Sequence, residues 1–100
     1  MSFDRLVGLH VTDDEVYTAY REAMRPILDQ YGGGFRYDFR VSDVLKSETA
    51  EPINRVFIIH FPDEASSDRF FADPAYLEAR AEFYEPSVGA TTILAAYDQP

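Results

Sequence analysis

Two histidines, one aspartate and two arginines carry the chemistry this sequence offers. His10 ends an alternating segment near the start, and His60 stands directly before Phe61-Pro62-Asp63. Imidazole has the unperturbed side-chain pKa closest to neutrality, so either residue suits proton transfer. Arg36, Asp38 and Arg40 recur at every second position of another segment. Two guanidiniums can hold a carboxylate or enolate oxygen through bidentate hydrogen bonds, and Asp38 can orient an imidazole or pair with the arginines. His10, His60 and Asp38 are therefore the catalytic candidates. Arg36, Arg40, Tyr20 and Arg55 are the substrate-binding candidates. The plainer account makes Arg36–Asp38–Arg40 a surface charge ladder and the histidines packing or interface residues. It is favoured, because structural ion pairs are common. A metal held by His10, His60 and Asp38 or Asp4 lacks any short His/Glu spacing in its support. No metal site and no cofactor are expected.

The elements that must position these residues follow from hydrophobic period. Phe3, Val7, Leu9 and Val11 share one side of a first strand, interrupted by Arg5. Thr12 or Asp13 can cap a helix from about Asp14 to about Tyr31, with an apolar stripe through Val16, Tyr17, Tyr20, Met24, Ile27, Leu28 and Tyr31. The Gly32-Gly33-Gly34 run stops it. Phe35 to Lys46 reads as a long strand, with Phe35, Tyr37, Phe39 and Val41 facing one way and Arg36, Asp38, Arg40 and Ser42 the other. Arg55 to Phe61 is a short apolar run suited to a central strand. Asp63 and Asp73-Pro74 start two further helices, and Thr91 to Tyr97 closes the chain as a strand.

The order is βαββαβ in one domain, residues 1–100. The expected fold is α+β and ferredoxin-like: an antiparallel four-stranded sheet with helices on one face. The first and third strands are expected at its centre. The phases above put His10, His60, Arg36, Asp38 and Arg40 together on the other face. That face has no covering element within one chain, which is the physical reason to expect a homodimer.

Composition narrows the partners. With 18 acidic and 9 basic residues, the net charge is −9. Such a chain repels phosphate backbones and anionic lipids, so neither nucleic acid nor a membrane is an expected partner. An RNA-recognition module shares the element order but needs a basic face, and the sequence lacks its Lys/Arg-Gly-Phe/Tyr signature. There is no cysteine, which removes thiolate catalysis and Cys-ligated metals. The start has no long apolar run, and no ~18-residue apolar stretch occurs, so a cytoplasmic protein is expected. The glycine run follows a helix and precedes a strand, the reverse of a phosphate-binding loop.

The chain resembles the DUF1330 family of the dimeric α+β barrel superfamily. The matching residues are Val11-Thr12-Asp13 leading to Tyr17 and Tyr20, then Tyr31-Gly32-Gly33, Arg55, Phe61-Pro62-Asp63, and Asp73-Pro74-Ala75-Tyr76 with Arg80. The resemblance implies a ferredoxin-like protomer and a dimer whose sheets pack face to face as a barrel. It implies no particular activity. The expected function is a homodimer that binds or transforms a small oxygenated organic molecule, with a non-enzymatic structural or regulatory dimer as the alternative. The tyrosines of the first helix, with Phe70, Phe71, Phe83 and Tyr84, either line an apolar cleft rimmed by Arg55 and Arg80 or simply form core.

Overall fold

The alternating and 3.6-period segments fold as their patterns require. The computed structural model describes residues 1–100 as β1 (Ser2–Val11), α1 (Asp14–Gln30), β2 (Gly34–Arg40), β3 (Arg55–Phe61), α2 (Glu64–Ala72), α3 (Pro74–Ala79), a π-helical turn (Arg80–Tyr84), α4 (Glu85–Ser87) and β4 (Val88–Gln99). Asp13 caps α1 by accepting from the Val16 amide, and Asp63 caps α2 by accepting from the Ser66 amide. Asp73 caps α3, with Pro74 in its first turn. Gly32, at φ 72°, supplies the left-handed residue after α1.

The sheet order is β2-β3-β1-β4, with every neighbouring pair antiparallel. One face of the sheet carries Val7, Leu9, Phe57, Ile59 and Phe61 into a core shared with Tyr17, Tyr20, Met24 and Leu28 of α1 and with Phe70, Tyr76 and Tyr84. The ferredoxin-like α+β expectation, with helices on one face, holds. No helix is long and apolar enough to cross a membrane.

The expected barrel does not form. β2 pairs only with β3, and β4 pairs only with β1, so both outer edges stay unpaired and the sheet is open. Closure that leaves room for interior side chains takes about eight tilted strands, and four cannot curl that far. The molecule is accordingly flat, 34 × 32 × 18 Å.

Two departures in β2 bear on the site. The strand stops at Arg40 rather than near Lys46, and residues 41–54 form a loop that carries Ile53 over Gly8 on the face away from the helices. The pairing also slips. Phe35 lies opposite Ile59, and Tyr37 lies opposite Ile58, so Arg36 is the extra residue of a β-bulge. Beyond the bulge every side chain changes face.

Candidate functional site

The bulge divides the residues expected to act together. Phe35 faces the helices, but Tyr37 and Phe39 face away, stacked at 5.8 Å and largely exposed. Asp38 and Arg40 instead pair across from Phe57 and Arg55 on the helix side. Arg36 remains on the open face, where its Nε donates to Asp4 at 2.8 Å and its Nη2 donates to Ser2 at 2.9 Å. His60 is beside them, directly opposite Asp4 in the register. Burial, then the Arg36 charge, lowers the His60 pKa, with Asp4 opposing. His10 pairs with Ala90, six strand positions beyond Asp4, so about 20 Å of strand separates the two histidines. They do not form one pocket.

Asp38 joins a helix-side network. Arg55 donates to it twice, at 2.7 and 2.8 Å, and Arg21 Nη1 donates at 3.1 Å. Burial raises the Asp38 pKa, but these two guanidiniums outweigh it and hold the carboxyl below its usual range. Arg40 reaches Asp14 of α1 at 3.0 Å. Asp38 is thus an acceptor that is already engaged, and Arg55 is its clamp.

A half-open cavity lies elsewhere, between the helices and the sheet. Val7, Phe57 and Ile59 are its floor, and Tyr17, Tyr20, Arg21 and Met24 of α1 form one wall. Phe71, Tyr76, Arg80 and Tyr84 form the other wall, and Arg5, Asp68, Thr91 and Ile93 flank it. The cavity measures about 430 Å³. A second depression, about 490 Å³, sits beneath the 41–54 loop on the other face, but it is lined by exposed loop residues such as Lys46 and Glu48.

Aromatic residues with polar tips set the width of the first cavity. The Tyr20 and Tyr76 hydroxyls bond at 2.9 Å, bridging α1 and α3. Tyr84 bonds to Thr91 of β4. Burial raises the Tyr20 and Tyr84 pKa values, and burial pushes Tyr17 up to about 12 against the nearby Arg21. These hydroxyls therefore stay protonated. Arg80 and Tyr84 come from the π-helical turn, where Arg80 lies 4.7 Å from the Tyr84 ring centre. Pro86 follows closely, lacking an amide and crowding the preceding turn, which accounts for the local widening.

Two guanidiniums mark the site, and both were outside the expected set. Arg21 is 5% exposed; its Nε donates to the Tyr17 hydroxyl at 2.7 Å, while its buried Nη2 has no partner in the protein. Arg5 interrupts the apolar side of β1, and its buried Nε is likewise unpartnered. Of the three buried side-chain polar atoms without partners, these are two; the third is Ser67 Oγ. The sequence did carry a signal for each. Arg5 breaks an alternation, and Arg21 falls four residues after Tyr17 on the buried stripe.

The family model for DUF1330, a domain of unknown function, matches residues 6–97. The chain belongs to this family. Its fold is similar to that of RPA0582, a protein of unknown function from Rhodopseudomonas palustris, at TM-score 0.82 and 20% identity, covering 99% of this chain and 84% of that one. It is also similar to a DABB family protein with a ferredoxin-like fold from Mesorhizobium loti, at TM-score 0.71 and 13% identity over 99% and 97% of the two chains. A third similar structure is a dimeric protein of unknown function and ferredoxin-like fold from Bacteroides fragilis, at TM-score 0.63 and 12% identity over 98% and 96%. At these identities the likeness concerns the fold. No curated protein matches the sequence.

Proposed function

We propose that this DUF1330 protein binds a small organic molecule in the cavity between its helices and sheet. One observation carries the reading: the cavity keeps buried guanidinium nitrogens, Arg5 Nε and Arg21 Nη2, without protein partners. Buried polar groups are normally satisfied, and the exceptions concentrate where a ligand supplies the missing contact. The remaining lining is mostly apolar and aromatic, as small-molecule sites are. No histidine lines it, and its tyrosines are held protonated, so these side chains favour binding over proton exchange at neutral pH. Of the expected substrate-binding residues, Tyr20 belongs to this cavity, and Arg55 acts on it through Asp38.

A second copy of the chain is proposed as the partner of the open face. Tyr37 and Phe39 present 58% and 54% of their surface there, and Leu94 presents 48%. An exposed apolar patch of this kind marks an interaction surface. Sedimentation equilibrium should return twice the 11.4 kDa chain mass. Tyr37→Lys with Phe39→Lys should return the monomer, and a wild-type monomer would refute this partner.

The binding reading is tested by plugging the cavity. Ala72 is exposed at its rim, so Ala72→Trp fills the mouth without disturbing the core. A panel of small aromatic acids, amides and alcohols should include compounds that raise the melting temperature of the wild type but not of the plugged variant. Equal responses in both proteins would place binding elsewhere and overturn the reading.

A further inference from the structure

We propose that the ligand is a flat organic anion, an aryl or enolic carboxylate, whose charge is held by Arg5 and Arg21. The proposal rests on the reading that the helix–sheet cavity binds a small molecule, and it adds the ligand's charge and shape.

The first argument is positional. Arg5 occupies a helix-facing position of β1 opposite Ile59, and Ile59 lies opposite Phe35 of β2. The guanidinium of Arg21 lies 4.0 Å from the Phe35 ring centre. One row across the sheet thus has a cation at each end, with adjacent strands about 4.8 Å apart. A small planar molecule lying on Ile59 spans that row and has a guanidinium on either side.

The second argument is charge. The cavity lining contains Arg5, Arg21 and Arg80 against one carboxylate, Asp68. Asp68 is exposed and makes no ion pair. Arg21 does have Asp38, but Arg55 holds that same carboxylate through two shorter bonds. Asp38 and Asp14 together serve three guanidiniums, Arg21, Arg55 and Arg40, so one positive charge is left over beside the cavity. The whole chain carries −9, so this lining opposes the charge of its surroundings. Taking charges out of water is costly unless a counter-charge meets them. An anion supplies it.

The third argument is shape. Arg5 lies 4.8 Å from the Phe71 ring centre, and Arg21 lies over both Phe35 and Phe57. These rings pack against the two guanidiniums, and the Arg5 Nε and Arg21 Nη2 beside them are buried without protein partners. Edge-on donation is the geometry in which guanidinium pairs with carboxylate. Tyr17 and Asp38 fix two nitrogens of Arg21, so its guanidinium is held in place before any ligand arrives. The aromatic walls suit a flat ligand body.

The test uses an isosteric pair, benzoate and benzamide, titrated calorimetrically into the full chain. Methyl-detected NMR locates each probe, with Val7 and Ile59 reporting on the cavity and Ile58 and Leu94 on the open face. The carboxylate should bind at least tenfold tighter than the amide, with shifts at Val7 and Ile59. Arg5→Met should bring the two affinities within threefold of each other, and Arg5→Lys should leave an intermediate preference. Unchanged near-ultraviolet circular dichroism verifies that each variant is folded. If the amide binds in the cavity as tightly as the carboxylate, the charge proposal fails while the cavity reading stands. If neither probe shifts the cavity methyls at millimolar concentration, both fail. Shifts confined to Ile58 and Leu94 refute both as well.

Discussion

Replacing Arg21 with methionine should leave stability nearly unchanged, although Arg21 is among the most buried charged residues of the chain. The substitution removes two charge-assisted bonds, to the Tyr17 hydroxyl at 2.7 Å and to Asp38 at 3.1 Å. Such bonds net about 1.5–3 kcal/mol each. The lower end applies here, because Asp38 is part-exposed and keeps both bonds from Arg55. The loss is therefore about 3 kcal/mol. Against it, the variant no longer buries the unpartnered Nη2, a group whose desolvation costs about 1–3 kcal/mol. Methionine's sulfur on Phe35 and Phe57, a contact worth about 0.3–1.5 kcal/mol, replaces the cation–π contact that Arg21 makes with the same rings. The opposing effects cancel to within about 2 kcal/mol. Urea denaturation followed by far-ultraviolet circular dichroism reads this directly, because the midpoint should move by no more than about 2 M with an unchanged slope. A loss above about 3 kcal/mol, the range for orphaning one partner of a buried pair, would refute the reasoning. Arg21 would then be a structural strut.

The lowered His60 pKa makes a pH prediction. A histidine with a folded pKa below its unfolded value of 6.5 binds protons more readily when unfolded. Its contribution is complete above about pH 6.5 and is lost as pH falls through the folded pKa. Melting temperature should therefore decline from pH 7.5 to pH 5.5, and His60→Gln should flatten that decline; parallel curves would exclude His60 as the cause. Asn54 mimics a strand residue, accepting from the Val11 amide and donating to the Val11 carbonyl, both at 2.8 Å. Asn54→Ala should cost about 1–3 kcal/mol and speed hydrogen exchange at the Val11 amide, whereas unchanged exchange would show that the 41–54 loop is held by other contacts.

Most elements were legible because local chemistry and tertiary demand agree. The Asp13, Asp63 and Asp73-Pro74 starts each form the cap that the sequence predicts. β3 has the expected bounds, because its apolar run is covered on one face by the helices and partly covered on the other. β2 departs from the sequence expectation for a physical reason. Phe35, Tyr37 and Phe39 alternate with Arg36, Asp38 and Arg40, and either register satisfies such a pattern. The bulge after Phe35 has no glycine to mark it. Distant charges account for it: Arg36 reaches Asp4 on one face, while Asp38 reaches Arg21 and Arg55 on the other. A strict alternation cannot satisfy both. The two histidines share a sheet face, but antiparallel register separates them along the strands.

The same competition explains why the site is carried by arginines in core positions. Arg5 stands where Phe3, Val7 and Leu9 predict an apolar side chain, and Arg21 stands between Tyr17 and Met24 on the buried stripe of α1. A leucine or methionine at either position would fill space and avoid an orphaned donor. Each unpartnered buried group costs about 1–3 kcal/mol, a sizeable part of the 5–15 kcal/mol that a domain has in total. A ligand that binds only the folded chain adds about 2.7 kcal/mol at one hundred times its dissociation constant. That is the size of the cost of one such group. The proposed ligand would offset it on binding, and the sequence positions that break the apolar pattern are the ones proposed to meet that ligand.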